Sequence, residues 1–122
     1  MLMPPFELHR PKSISEACEI AGKLLAEGHE FDWIAGGTDL IPNYKWHINT
    51  KPHVISLSGI EGISTISMTE IGCMARLHDI SESSHVHPLI SEAAAKVASS
   101  LIRRNATLGG NLCLDTRCFW YN

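Results

Sequence analysis

Apolar residues recur every three or four positions after Ser13, which is the spacing of one face of an amphipathic helix. Ser13 and Glu16 have the S-x-x-E spacing of a capping box, in which two side chains satisfy free backbone N–H groups at a helix start. Gly28 follows the last periodic position and favours a helix end there. The pattern predicts a helix whose apolar face is made by Ala17, Ile20, Ala21, Leu24 and Leu25.

Short apolar runs predict strands around a glycine turn. Phe31 to Ala35 has the length and composition of a buried strand, and Trp33 within it is predicted to be core. The run leads into a Gly-Gly-Thr-Asp turn at residues 36–39, whose last two residues are typical of a helix start. His53 to Leu57 is a second predicted strand. This order is typical of an α/β unit.

The second half of the chain mixes predicted strands and helices. Thr65 to Met68 and Glu70 to Met74 are predicted as a third and a fourth strand. Arg76 to Ser83 is predicted as a short helix, and Pro88 to about Ser100 as a longer one that packs on the sheet. A second glycine turn follows this helix at residues 105–111.

Composition narrows the class of protein. With 122 residues, 44% of them hydrophobic and 19% charged, the chain is predicted to be one globular domain or a piece of one. A net charge of −3 gives no basic field for nucleic acid, and no apolar run approaches the roughly 20 residues of a membrane span. We therefore expect a cytoplasmic protein without nucleic-acid or membrane partners. The aromatic ending at residues 119–122 predicts an interrupted chain.

The first glycine turn suits a phosphate group. Gly36 and Gly37 have no side chains, so backbone N–H groups can approach a ligand, and the Thr38 hydroxyl is an additional donor. The Asp39 carboxylate is expected to point away from phosphate, either as a helix cap or toward ligand hydroxyls. Taken alone, such a turn is more often an ordinary connection between a strand and a helix.

The second turn again combines glycines with hydroxyl and amide side chains. It follows Arg103 and Arg104, which are predicted either to meet phosphate or a partner subunit, or to complement the helix dipole. Two such turns can hold one dinucleotide between them. Neither has the G-x-G-x-x-G spacing of nicotinamide-binding proteins or the G-x-x-x-x-G-K spacing of a P-loop, so those two binding modes are disfavoured.

Three segments in order carry a family resemblance. They are IAGGTDLIPNYK at Ile34 to Lys45, EIGCMARLHDI at Glu70 to Ile80, and IRRNATLGGNLC at Ile102 to Cys113. Together they resemble the FAD-binding subunit of molybdenum hydroxylases, the xanthine dehydrogenase and carbon monoxide dehydrogenase family. The resemblance implies an α+β fold of the vanillyl-alcohol-oxidase type, with a small α/β lobe over residues 1–60 and an incomplete second lobe over residues 61–122.

The resemblance also implies the residues that hold FAD. The first loop would wrap the pyrophosphate, and the second turn would make another contact to FAD. The first set is Ala35, Gly36, Gly37, Thr38 and Asp39, closed by Leu40, and the second is Thr107, Gly109, Gly110 and Asn111. Many relatives have Gly-Ala and then threonine where this chain has Gly72, Cys73 and Met74, so a threonine contact to the flavin is not expected there.

The last residues resemble one branch of this family, the middle subunit of 4-hydroxybenzoyl-CoA reductase. In that branch an arginine-cysteine pair followed by aromatic residues opens a loop with a four-iron, four-sulfur cluster, which makes Cys118 the implied first ligand. Such a cluster needs four thiolates, so this chain alone is not expected to assemble it. Cys113 is interpreted as a small buried residue instead.

The family resemblance implies an electron-transfer flavoprotein subunit of an oxidoreductase. Its implied partners are a molybdopterin-binding large subunit and a small subunit with two-iron clusters, and its implied carrier is ferredoxin or NAD. Two alternatives stay open. One is a non-catalytic fragment or assembly module that does not hold FAD stably, and the other is a flavin reductase such as the enolpyruvyl reductase of cell-wall synthesis. No catalytic acid or base is predicted, because such groups meet only in three dimensions.

The seven histidines are interpreted as exposed loop residues and not as a zinc site. His85 and His87 would share one face if their segment were a strand, but no carboxylate or cysteine pattern of a zinc site lies nearby.

Overall fold

A three-stranded parallel sheet forms the centre of the first half of the chain. The computed structural model describes residues 2–115 and 120. The strands lie in the order β1-β3-β2, with Glu7 opposite His53 and Phe31 on the other side of His53. They are β1 (Glu7–His9), β2 (Phe31–Ile34) and β3 (His53–Ser56), and the helices between them are α1 (Ile14–Ala26) and α2 (Leu40–Lys45).

The two helices lie on opposite faces of this sheet. Ala21 and Leu24 of α1 form one core cluster with Ile55 of β3, which is fully buried. Tyr44 of α2 is 2% exposed, and its hydroxyl donates a 2.7 Å hydrogen bond to the carboxylate of Asp32. Asp32 pairs with Val54, the neighbour of Ile55 on β3, and neighbouring residues of a strand point to opposite faces. Ile55 and Asp32 therefore point to different faces, so α1 and α2 lie on different sides of the sheet. The first half is therefore a helix, sheet and helix sandwich.

The predicted capping box of α1 is present, with one difference. Ser13 Oγ accepts from the Glu16 N–H at 3.1 Å, while the Glu16 carboxylate accepts from the N–H of Lys12, one residue before the cap. The helix ends at Ala26, and Gly28 has a φ of 77°, a left-handed conformation that favours glycine. The local signals therefore predicted both ends of α1 to within two residues.

Four short helices lie in the described part of the second half, around a core of their own. They are α3 (Leu77–Glu82), α4 (Pro88–Ala95), α5 (Ser100–Arg103) and α6 (Leu108–Leu112). Their core consists of Ala75, Leu77, Ile80, Val86, Ala94 and Ala106. No helix of the described residues is long and apolar enough to cross a membrane. The predicted lobe boundary after residue 60 stays a prediction.

The predicted third and fourth strands are wrong in extent. Within residues 65–74 the structure has one antiparallel bridge, between Ile66 and Ile71. The segment is a narrow hairpin in which Gly72 N–H donates to Thr65 O, but the described hydrogen bonds include no return bond from the Thr65 N–H. An antiparallel ladder extends where two opposite residues exchange hydrogen bonds in both directions. The described bonds join Thr65 and Gly72 in one direction only, so the ladder does not extend beyond the bridge.

The predicted long helix from Pro88 to Ser100 is also wrong, since it is two helices. The helix α4 ends at Ala95, and Ala98 has a φ of 47°, which breaks helical geometry. Ser99 Oγ then accepts from the Ile102 N–H and starts α5. The Arg103 guanidinium donates to the carbonyls of Val97 and Ala98 at 2.8 and 3.1 Å, and these bonds hold the break in place.

Candidate functional site

A cavity of about 750 Å³ opens at the carboxyl end of β2, between the two glycine turns. Its volume is in the range of cavities that bind small molecules and cofactors. All ten residues that the sequence assigns to FAD line it, together with apolar side chains from both halves of the chain. The structure thus brings together the two turns, which are about 70 residues apart in sequence.

The first turn is fixed by direct contact with the second. A Cβ on Gly36 would collide with the carbonyl oxygen of Asn105, so only glycine fits at this position. Gly37 has a φ of 74°, and its carbonyl accepts from the Ile41 N–H at 3.1 Å as α2 begins. The hydrogen bonds among the described residues include no acceptor for the N–H groups of Gly36, Gly37 or Thr38. This turn therefore has donors available at the cavity.

One of the two predicted roles of Asp39 was to cap α2, and the side chain does not do so. The helix has no side-chain cap hydrogen bond, and the Asp39 carboxylate instead accepts from the Asn43 side-chain amide at 3.1 Å. The cause is the backbone of Asp39, which is already helical (φ −109°, ψ −44°) and not extended as a capping residue usually is. The carboxylate is half-buried and remains next to the cavity.

The last residues of the second predicted turn form the helix α6, and its backbone donors bond to other groups of the chain. Thr107 is 3% exposed, and its Oγ1 accepts from the Gly110 N–H at 3.1 Å. Gly109 N–H donates to the Cys73 carbonyl at 2.8 Å, and Asn111 N–H donates to the Thr107 carbonyl at 3.0 Å. This turn therefore offers the cavity the exposed Asn111 side chain and a close-packed surface, but not these three N–H groups.

A smaller and more polar cavity of about 440 Å³ adjoins the first. Gly36 and Thr107 line both cavities, so the two share a wall at the point where the turns meet. Arg76 lines the smaller cavity, and it is the only cationic residue among the described residues that line either one. Sequence reasoning missed this role, because Arg76 was interpreted only as the start of a helix.

Several other predictions are corrected by the positions of the side chains. Trp33 is not core, since it is 45% exposed and lines the large cavity at the exposed end of β2. Cys113 is exposed and lines the same cavity, so the interpretation of Cys113 as buried is wrong. Arg103 holds backbone carbonyls and is not directed to a phosphate site. Cys118 lies outside the described residues.

The histidines differ from the prediction as well. His85 and His87 are not on a strand, and His87 Nδ1 accepts from the Leu89 N–H at the start of α4. His9 and His53 are not exposed loop residues, since they lie half-buried on β1 and β3.

Comparison with known proteins identifies the family. Residues 4–118 match the model of the FAD binding domain in molybdopterin dehydrogenase. The chain belongs to this family. The assignment confirms the family that the sequence predicts, its mixed α/β fold and its cofactor, FAD, and it favours a molybdopterin dehydrogenase over the predicted alternative of a cell-wall reductase.

Individual members of the family are similar over nearly the whole chain. The carbon monoxide dehydrogenase medium chain of Hydrogenophaga pseudoflava is 34% identical over 119 residues, which cover 92% of this chain and 40% of that protein. The aldehyde oxidoreductase FAD-binding subunit PaoB of Escherichia coli K12 is 32% identical, over 98% of this chain and 38% of that protein. The chain spans about 40% of the length of these relatives.

Solved structures show the same similarity. The reconstituted CO dehydrogenase from Oligotropha carboxidovorans contains a chain that superimposes with a TM-score of 0.82 at 33% identity, over 91% of this chain and 40% of that one. Quinoline 2-oxidoreductase from Pseudomonas putida 86 gives 0.81 at 25% identity. The finer resemblance to 4-hydroxybenzoyl-CoA reductase and the iron-sulfur role of Cys118 are not tested by these relatives and stay predictions.

Proposed function

We propose that this chain is the pyrophosphate-binding part of the FAD subunit of a multi-subunit molybdenum-containing oxidoreductase. The observation that carries the proposal is the group of three N–H donors at Gly36, Gly37 and Thr38, next to a cavity of cofactor size. Backbone N–H groups in a glycine turn form a concave site for anions such as phosphate. In this chain they are the donors that a pyrophosphate would need.

The two turns have different roles in this proposal. The first turn donates backbone N–H groups to the phosphates, while the second turn braces it from behind through the contact of Gly36 with Asn105. Asn111 presents a side-chain amide to the cavity, which can donate to or accept from polar atoms of the cofactor. Arg76 lines the smaller cavity beside the point where the turns meet, together with the carboxylate of Asp79.

In the whole protein, the bound flavin would pass electrons between an external carrier and the metal centres of partner subunits. The partners that we propose are a molybdopterin-binding large subunit and a small subunit with two-iron clusters, with ferredoxin or NAD as carrier. Substrate chemistry would take place at the molybdopterin. The residues of this chain would bind and orient the flavin and set the polarity of its surroundings. None of them is assigned a catalytic role. A cytoplasmic location is part of this proposal.

The second candidate is an assembly module that does not retain FAD. It is favoured by the chain's span of about 40% of its relatives and by the number of apolar side chains on its surface. If further protein normally covers the cavity, part of the burial that a cofactor needs is missing from this chain.

A flavin titration distinguishes the two candidates. The purified 122-residue chain is titrated with FAD, FMN and riboflavin while its tryptophan fluorescence is followed. If the N–H donors bind pyrophosphate, FAD binds more tightly than FMN, and riboflavin binds least. Equal affinity for FAD and riboflavin would contradict the phosphate role, and no saturable binding to a chain with folded circular dichroism would favour the assembly module.

Two tryptophans supply a matched control for this titration. Trp33 lines the cavity, whereas Trp46 is 69% exposed and lines neither cavity. Flavin bound in the cavity should quench Trp33, so Trp33→Phe should lose most of the change in fluorescence and Trp46→Phe should keep it. Quenching that depends on Trp46 instead would locate the flavin elsewhere on the surface.

A further inference from the structure

Two histidines and a glutamate meet on the paired strands β1 and β3. Among the described residues, Glu7, His9 and His53 are the one group of three potential metal ligands whose ligand atoms all lie within 4.8 Å of one another. None of the three lines either cavity. The cluster is therefore separate from the proposed FAD site.

The parallel strands create the cluster by their register. Glu7 pairs with His53 across β1 and β3, and His9 lies two residues further along β1, on the same face as Glu7. The His29 ring packs against the His53 ring with 5.0 Å between centroids and limits its rotation. The His53 side chain is only 14% exposed, while the Glu7 side chain is 68% exposed and faces solvent. The site is thus held on one side and open on the other.

Two of the three distances between these atoms are close to those around a tetrahedral cation, and the third is within 4.8 Å. His9 Nε2 lies 3.1 Å from His53 Nδ1, and His53 Nδ1 lies 3.5 Å from a carboxylate oxygen of Glu7. Ligand atoms that each bind zinc at about 2.0–2.1 Å in tetrahedral geometry are separated by roughly 3.3 Å. A small cation can therefore enter with minor side-chain movement.

We propose that Glu7, His9 and His53 form a binding site for a divalent transition-metal cation of the zinc type. Imidazole nitrogens favour zinc, copper, nickel and iron over magnesium and calcium, and two histidines with one carboxylate leave a coordination position for water. The proton now shared between the two rings moves to another nitrogen of the ring that carries it, so that both facing nitrogens present lone pairs to the metal.

The bound cation would stabilise the pairing of the edge strand β1 with β3. The strand β1 has three residues and pairs with β3 alone, so it is an edge strand. A cation shared by His9 and His53 links residues 44 positions apart. Because a ligand that binds only the folded chain stabilises it by mass action, zinc should raise the melting temperature.

The test uses the tag-free 122-residue chain after treatment with a chelator. Zinc is titrated by calorimetry, and imidazole ¹⁵N resonances are followed by NMR to identify the ligands. We expect one zinc per chain and shifts of His9 and His53. Since losing an outer partner of a metal ligand already costs roughly 10–100-fold in affinity, His53→Gln should weaken binding at least that much. His85→Gln, in an exposed residue outside the cluster, should bind as the wild type does.

A second variant keeps the test decisive if His53→Gln does not fold. Glu7→Gln changes an exposed side chain, so the fold is expected to be retained, and zinc affinity should fall by roughly 10-fold. The proposal is overturned if zinc does not saturate a single site, if it shifts neither His9 nor His53, or if His85→Gln weakens binding as much as the cluster variants. Binding only through cysteine thiols would leave the imidazole resonances unchanged and would also overturn it.

Discussion

Gly36 lies so close to the carbonyl oxygen of Asn105 that no side chain can be placed between the two glycine turns. The contact joins the turn after β2 to the start of the second turn, which leads into α6, and it sets the position of the free N–H donors relative to the cavity. The two turns therefore act as one unit, although one of them uses its N–H groups internally and the other does not.

Gly36→Ala should separate the turns and weaken both folding and FAD binding. The added methyl group meets backbone and not a flexible side chain, so the backbone must move, and overpacking of this kind costs about 1–3 kcal/mol. The free energy of unfolding, measured with urea, should fall by this amount, and FAD affinity should fall with it.

Gly22→Ala is the matched control for this change. A Cβ on Gly22 meets nothing within 4 Å, and the residue lies inside α1, where alanine is favoured over glycine by about 0.5–1 kcal/mol. This variant should be more stable than the wild type with unchanged FAD binding. If both variants changed stability in the same direction, the contact with Asn105 would not explain the effect of Gly36→Ala.

Thr107→Val should loosen the second turn, while the side chain at this position keeps nearly the same volume. The Thr107 hydroxyl accepts from the Gly110 N–H in a position that is 3% exposed. Loss of such a cap costs about 1 kcal/mol, so urea unfolding should show a loss of that size. The Gly110 amide should also exchange its hydrogen faster with solvent.

Thr107→Ser tests whether the hydroxyl is responsible. Serine keeps the acceptor and loses only a methyl group, so the Gly110 amide should keep its protection. Equal loss of protection in both variants would mean that packing of the methyl group, and not the hydrogen bond, orders this turn.

The sequence predicted the parts of this fold that depend on neighbours in the chain. The start of α1 depends on Ser13 and Glu16, which are three residues apart. Ser13 accepts the expected hydrogen bond, and Glu16 accepts from the Lys12 N–H, one residue before the expected donor. The glycine turns were recognisable because glycine tolerates close contacts and left-handed backbone, as Gly36 and Gly37 do here.

Features that depend on distant residues were not predicted. His9 and His53 meet only because β1 and β3 pair in a particular register, and no spacing along the chain reveals a register. The break after α4 depends on Arg103, which binds carbonyls five and six residues earlier. The free donors of the first turn could not be distinguished from the used donors of the second, because both turns have similar sequences and differ in what surrounds them.

Tyr44 makes the free energy of unfolding depend on pH in the alkaline range. Burial, together with the hydrogen bond to Asp32, raises the pKa of Tyr44 from 10.0 to about 12. The neutral phenol is therefore favoured by folding. Its contribution to the free energy of unfolding is complete below pH 10, the pKa of the unfolded chain, and is lost as the pH rises toward 12. A fall in stability between pH 10 and 12 is expected for the wild type.

Tyr44→Phe should remove this fall and lower stability at neutral pH. The variant loses the hydroxyl that donates to Asp32 at 2.7 Å and accepts from the Lys51 N–H at 3.1 Å, and unsatisfied polar groups of this kind cost about 1–3 kcal/mol. Urea unfolding at pH 7 and at several values between 10 and 12 should therefore give curves for wild type and variant that converge as the pH rises. A constant difference across that range would mean that the phenol ionises with the same pKa in the folded and the unfolded chain.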